Sequence, residues 1–157
     1  MNKHLLSALL VLTVAGVTGA AQASRSVQAE RTETLQSEVV ISTLSTEDLK
    51  KQLAAPGGKV EDKSEVARGE AVTAIVRATG CMKDDTGHCD INANVTVYKP
   101  DGTVFHEAKV LDLASGRVTV PLDVDANAPT GLYRVVVNVR DLTARHFAVV
   151  ERRFAVK

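Results

Sequence analysis

From Ala67 to the C-terminus the chain repeats with a period of two, and this alternation limits what it can fold into. Side chains of a β-strand point to opposite faces in turn, so apolar residues at every second position mark a strand buried on one side. Ile91, Ala93, Val95 and Val97 alternate with Asn92, Asn94, Thr96 and Tyr98. Val72, Ala74, Val76 and Ala78 alternate with Thr73, Arg77 and Thr79, although Ile75 breaks the outward row. A strand from Thr103 to Leu111 is expected to place Val104, Ala108 and Val110 on its core face, with His106 in phase with them. Arg117 to Val124 puts Val118, Val120, Leu122 and Val124 on one face, and Pro121 assigns it to an edge because proline cannot donate to a ladder. Leu132 to Asp141 carries Tyr133, Val135, Val137 and Val139 in phase. The last strand, Arg145 to Val156, aligns Ala148, Val150, Phe154 and Val156, with Arg152 intruding. Either that strand bulges near Glu151-Arg152-Arg153 or Arg152 sits at an open rim. Lys99-Pro100-Asp101-Gly102 and the run from Asp125 to Gly131 read as turns. Strands at such regular spacing, almost without helix, predict a mainly β antiparallel sandwich of about seven strands; a small closed barrel is the alternative.

The N-terminus has a different character. Lys3 and His4 precede an apolar run from Leu5 to about Val17, followed by small residues ending Ala21-Gln22-Ala23. These are the parts of a cleavable secretory signal over residues 1–23, with cleavage expected after Ala23. A retained anchor is the rival reading, but the run falls short of the roughly 20 apolar residues that span hydrocarbon. No cysteine follows the small residues, which closes the lipoprotein route. The brevity of the signal looks bacterial and places the product in the periplasm or secreted into the medium, with no integral membrane segment after cleavage.

Residues 24–37 are polar and mixed in charge, and read as a flexible leader. Order is expected from Glu38, with one β-sandwich domain over residues 38–157. Glu38 to Leu44 is a strand candidate. Ser45-Thr46-Glu47-Asp48 resembles a helix start, Leu49 and Leu53 share a face, and Pro56-Gly57-Gly58 stops this single short N-terminal helix.

Charge and aromatic content exclude several partner classes. The chain has 19 basic and 19 acidic residues, and Lys3 alone lies in the signal, so the remainder is near neutral. It carries no electrostatic footprint for nucleic acid. With no Trp, two Tyr and three Phe, it is also poor in stacking platforms for bases or sugars.

Cys81 and Cys89 are the only cysteines, and in an oxidising compartment a close pair reads as a disulfide. The loop between them also presents His88, Asp84 and Asp85, with Asp90 just after it, as candidate metal ligands. The cysteine spacing is too wide for the usual structural zinc knuckle, and the acids do not match a calcium loop. No Ser-His-Asp set or Gly-rich phosphate loop is recognisable, so neither catalysis nor a cofactor is expected. Arg140, Arg145, Arg152 and Arg153 are candidate interaction residues along a basic edge; the plainer reading is edge charge that prevents sheet-to-sheet pairing.

Tyr98-Lys99-Pro100-Asp101-Gly102 ahead of a strand, and Ala128-Pro129-Thr130-Gly131-Leu132-Tyr133-Arg134-Val135 opening another, resemble immunoglobulin-like modules of exported bacterial proteins, including macroglobulin-type modules. The order strand, short helix, Gly80-Cys81, Gly87-His88-Cys89, Pro-Asp-Gly, Gly-x-Tyr and final Phe-x-Val is similar to a set of uncharacterised periplasmic proteins of proteobacteria, over residues 38–157. The resemblance implies an immunoglobulin-like sandwich and carries no activity. The cysteines depart from the antibody pattern by flanking one hairpin, and the core Trp is missing. The function these features support is a non-catalytic exported binding domain, with another envelope protein or a cell-envelope component as partner. Two alternatives are a metal-binding or redox stress protein using the Cys81/Cys89 loop, and a structural subunit of a surface assembly.

Overall fold

A computed structural model describes residues 34–56 and 58–157. The signal and most of the leader lie outside the described residues. Eight strands and one helix follow in the order β1 (Gln36–Ser42), α1 (Thr46–Ala54), β2 (Glu65–Val66), β3 (Val72–Thr79), β4 (Ile91–Tyr98), β5 (Val104–Asp112), β6 (Arg117–Leu122), β7 (Gly131–Asp141) and β8 (His146–Val156). Among the described residues no helix is long and apolar enough to cross a membrane.

The strands form two sheets, ordered β1-β3-β6 and β2-β8-β7-β4-β5. All pairings are antiparallel except that of β2 with β8. The barrel alternative therefore does not apply. This is the strand order of an immunoglobulin-like sandwich, in which the first strand divides its pairing between the two sheets and the last pairs in parallel with its second part. Tyr133, near the start of β7, donates its hydroxyl to the Pro129 carbonyl at 3.0 Å, the corner contact by which such sandwiches fasten the crossover into this strand.

The alternation dictates the core. Ile91, Ala93, Val95 and Val97 of β4 meet Tyr133, Val135, Val137 and Val139 of β7 on one inner face, all of them buried. Each fully buried valine contributes about 1.5–3 kcal/mol relative to an exposed one. Tyr133 packs edge-on to Phe105, with ring centroids 5.3 Å apart, and stacks on Phe154 at 5.5 Å. Across the sandwich lie Val39, Ile41, Ala74, Val76, Val120 and Leu122. Ile75 points out of this core and is buried nonetheless, as is Leu49 of α1. The helix lies against the small sheet, where Arg117 of β6 donates to the Leu53 carbonyl. Ser45 caps the helix by accepting from the Asp48 amide at 3.2 Å.

Two expectations need correction, and of the two readings of the last strand the open rim holds. The leader does not run to residue 37: Leu35 is already buried and β1 begins at Gln36. Gln36 and Ser37 pair with Thr79 and Ala78 on an edge strand, where backbone bonds suffice and no apolar row is needed. In β5 the core-facing residues are Phe105, Ala108 and Leu111, while Val104 and Val110 are exposed. The ladder between β4 and β5 shifts register twice, and each shift moves the row to the other face. At the second shift Val110 adopts a left-handed φ of 52°, and its N–H is held by the Asn94 side chain at 2.8 Å. β8 does not bulge. Its register against β7 is continuous, and Arg152 reaches the rim to pair with Asp62 at 2.8 Å. Pro121 is on an edge strand, as expected.

Gly131 is among the glycines dictated by close approach. Gly131 has φ of 131°, and a Cβ there would meet Pro100 Cγ at 2.8 Å. The turn before β7 is thus seated on the Pro-Asp-Gly turn after β4.

Candidate functional site

At one end of the sandwich the cysteine loop and the β7–β8 turn come together. Cys81 and Cys89 form a disulfide with Cα atoms 5.9 Å apart, and both lie half-buried against the core. Beyond the bridge the loop organises itself around Asp84. One carboxylate oxygen accepts from the amides of Thr86 at 2.8 Å and His88 at 2.9 Å, and from the Thr86 hydroxyl at 2.7 Å. The Thr86 hydroxyl, then the His88 amide, hold the Asp84 carboxyl below its ordinary range. His88 is exposed and shares its Nδ1 with the Thr86 hydroxyl. Asp85 and Asp90 are exposed. Among the described residues no three His, Cys, Asp or Glu side chains converge as a metal cluster would. His106 is half-buried opposite Val97.

Asp141 joins this loop to the turn. It ends the inward row of β7 and is buried, with one oxygen accepting the Met82 amide at 2.7 Å and the other the Ala144 amide at 2.9 Å. The Leu142 amide donates to the Asp90 carbonyl at 2.9 Å, completing the clasp. A buried carboxylate needs such donors, and charge-assisted bonds of this kind are roughly twice as strong as neutral ones.

The clasp fixes the turn beneath a distinctive outer surface. Phe147 is 77% exposed, Val149 59% and Leu142 49%, around a shallow depression of about 560 Å³ that Arg140, Arg145 and His146 also line. The four arginines expected along one edge do not form a single group. Arg140 and Arg145 stand at this end and, among the described residues, have no acidic side chain within 4 Å. Arg152 and Arg153 lie farther along β8 and are engaged by Asp62 and Glu151. Hydrogen bonding from Arg153, assisted by Arg134, holds the Glu151 carboxyl below its ordinary range. Arg134 also covers the Tyr98 ring at 4.4 Å.

The apolar members of this surface were not singled out in the sequence. Their signal was present, because Phe147 and Val149 make the outward row of the last strand apolar while Ala148 and Val150 fill the inward one.

No protein-family model matches this sequence, and no curated protein matches it. Among solved structures the chain is similar to CopC from Methylosinus trichosporium, with a TM-score of 0.40, 20% identity, and coverage of 60% of this chain and 83% of that one. An immunoglobulin-like protein from Pseudomonas aeruginosa gives a TM-score of 0.45 at 11% identity, covering 81% and 99%. A family 123 glycoside hydrolase from Clostridium perfringens gives 0.46 at 10% identity, covering 79% of this chain and 27% of that one. The strand order and the Tyr133 corner define the sandwich.

Proposed function

We propose that this chain is a non-catalytic exported domain that works in the periplasm or the medium and binds another envelope protein or cell-envelope component. The observation that carries the reading is the exposed group Leu142, Phe147 and Val149 beside Arg140 and Arg145, on a turn clamped from beneath by Asp141. Contiguous apolar surface rimmed by polar groups is a mark of binding sites, and a rigid scaffold presenting it lowers the entropy lost on association. The disulfide and the N-terminal signal support export, and the resemblance to proteobacterial periplasmic proteins supports the envelope. The sandwich supplies the frame, and the surface supplies the recognition.

The test is site-specific photocrosslinking in cells, with the reactive residue at position 147 and a control at Glu107, an exposed position on β5 at the opposite edge of the same sheet. A discrete adduct is expected at 147, missing at 107 and weakened by Arg140→Glu. Equal labelling at both positions, or none at 147 in folded protein, would overturn the reading.

A further inference from the structure

We infer that the partner contributes an extended acidic peptide segment that pairs as an added strand along β8; this rests on the binding reading above and names the chemistry of its partner. The backbone indicates where such a strand fits. The amides of Ala155 and Lys157 point away from β7, to the carbonyls of Ser64 and Val66. Because β8 keeps one register throughout, the two-residue period turns the N–H and C=O groups of Phe147, Val149, Glu151 and Arg153 to that same side. There β2 and the residues flanking it cover β8 from Arg152 to Lys157, and among the described residues Phe147, Val149 and Glu151 have no sheet partner on that side.

The other edges are less receptive. β6 is interrupted by Pro121, and β5 by two register shifts and the left-handed Val110. β1 begins with polar Gln36, Ser37 and Glu38, and its Ile41 backbone is already bonded to Asp62 and Lys63. Residues 146–150 contain no proline, glycine, bulge or acidic or basic side chain apart from His146, and the charges that blunt an edge, Glu151, Arg152 and Arg153, stand beyond them. Alternate side chains of an added strand would lie beside Phe147 and Val149, so backbone pairing and apolar contact act together.

Charge selects the occupant. Arg140 and Arg145 lack acidic partners among the described residues, while Arg134, Arg152 and Arg153 have them. Asp141, which lies between the two in sequence, faces inward onto backbone amides. Carboxylates on the incoming strand near the β7–β8 turn satisfy both arginines. A second copy of this chain fits less well: the acid its β8 offers is Glu151, already held by Arg153 and Arg134.

The probes are eight-residue peptides alternating valine and threonine: one ending in two glutamates, one ending in two lysines, and the glutamate peptide N-methylated at every second residue in each of the two registers. Binding to the full mature chain is followed by NMR, with deuterium exchange at Phe147, Val149 and Glu151. The glutamate peptide is expected to bind and slow exchange at these amides, and the lysine peptide to bind at least about tenfold more weakly. One N-methylated register should lose binding and the other keep it, since only one faces β8. The double variant Arg140→Glu/Arg145→Glu should reverse the charge preference. Val149→Pro should abolish pairing without removing a β7–β8 bond; if it fails to fold, the N-methylated pair still decides. Equal binding of both registers, or a dimer whose formation needs Arg145, overturns the strand-addition proposal. No binding of the glutamate peptide while the position 147 crosslink persists also overturns it and leaves the binding reading standing. Loss of both removes both.

Discussion

Replacing Tyr133 by phenylalanine removes one oxygen from the centre of the fold and leaves everything else in place. The ring keeps its contacts with Phe105 and Phe154, at 5.3 and 5.5 Å, so no cavity opens. What is lost is the hydrogen bond to the Pro129 carbonyl. A net hydrogen bond contributes about 1 kcal/mol, and a domain of this size loses roughly 4 °C of Tm for that amount. Tyr133→Ala, which also empties the aromatic cluster, should cost about 3–5 kcal/mol.

The hydroxyl adds a pH signature. Burial first, then the Asp101 and Asp125 carboxylates, raise the Tyr133 phenol above its ordinary value of 10.0. Above that pH the unfolded chain releases this proton while the folded chain retains it, so wild-type stability falls as pH rises. The phenylalanine variant has no such proton. Urea unfolding followed by circular dichroism at pH 7, 9, 10 and 11 should therefore show wild type ahead by about 1 kcal/mol at neutral pH, with the gap closing above pH 10. Equal midpoints at pH 7, or a gap that stays constant to pH 11, would refute this account of the corner.

Two further outcomes are expected. Cys81→Ser/Cys89→Ser, compared with the oxidised protein by urea unfolding, should lose about 2.5 kcal/mol, the chain-entropy value for so short a loop, and protein isolated from its own compartment should give an 81–89 bridged peptide by mass spectrometry under alkylation. Val110→Gly should stabilise the protein by about 1 kcal/mol in the same assay, because the site is 74% exposed and its left-handed φ is strained for a β-branched residue; a loss of stability would show that the strain is not there.

The large sheet was readable in advance wherever one strand kept one register. The rows from Ile91 to Val97 and from Tyr133 to Val139 run inward without interruption, so alternation alone located them. β5 departs from simple alternation because two register shifts put Phe105 and Leu111 inside while the two-residue period favours Val104 and Val110. β2 is too short to show any period, and its partner lies some ninety positions away in the chain. The same limit applies to the site. Arg145 and Arg152 are near each other in sequence, yet Arg145 stands in the turn ahead of β8 while Arg152 lies six positions past His146, roughly 20 Å along the strand, and is claimed by Asp62 from a distant segment. Pairings of that kind leave no local trace, whereas the outward row of Phe147 and Val149 was visible all along.

The parallel contact of β2 with β8 also determines how the domain carries tension. β1 starts at the cysteine-loop end and β8 finishes at the other, so a pull between residues 34 and 157 runs lengthwise along both strands. The bonds from Ala155 to Ser64, Lys157 to Val66 and Arg68 to Lys157 lie across that line and are loaded together, in shear. Single-molecule stretching should accordingly show one abrupt rupture at this seam, and a gradual unzipping from the C-terminus would contradict it. A domain anchored at one end and gripped at the other would thus hold until the bonds of this seam fail together.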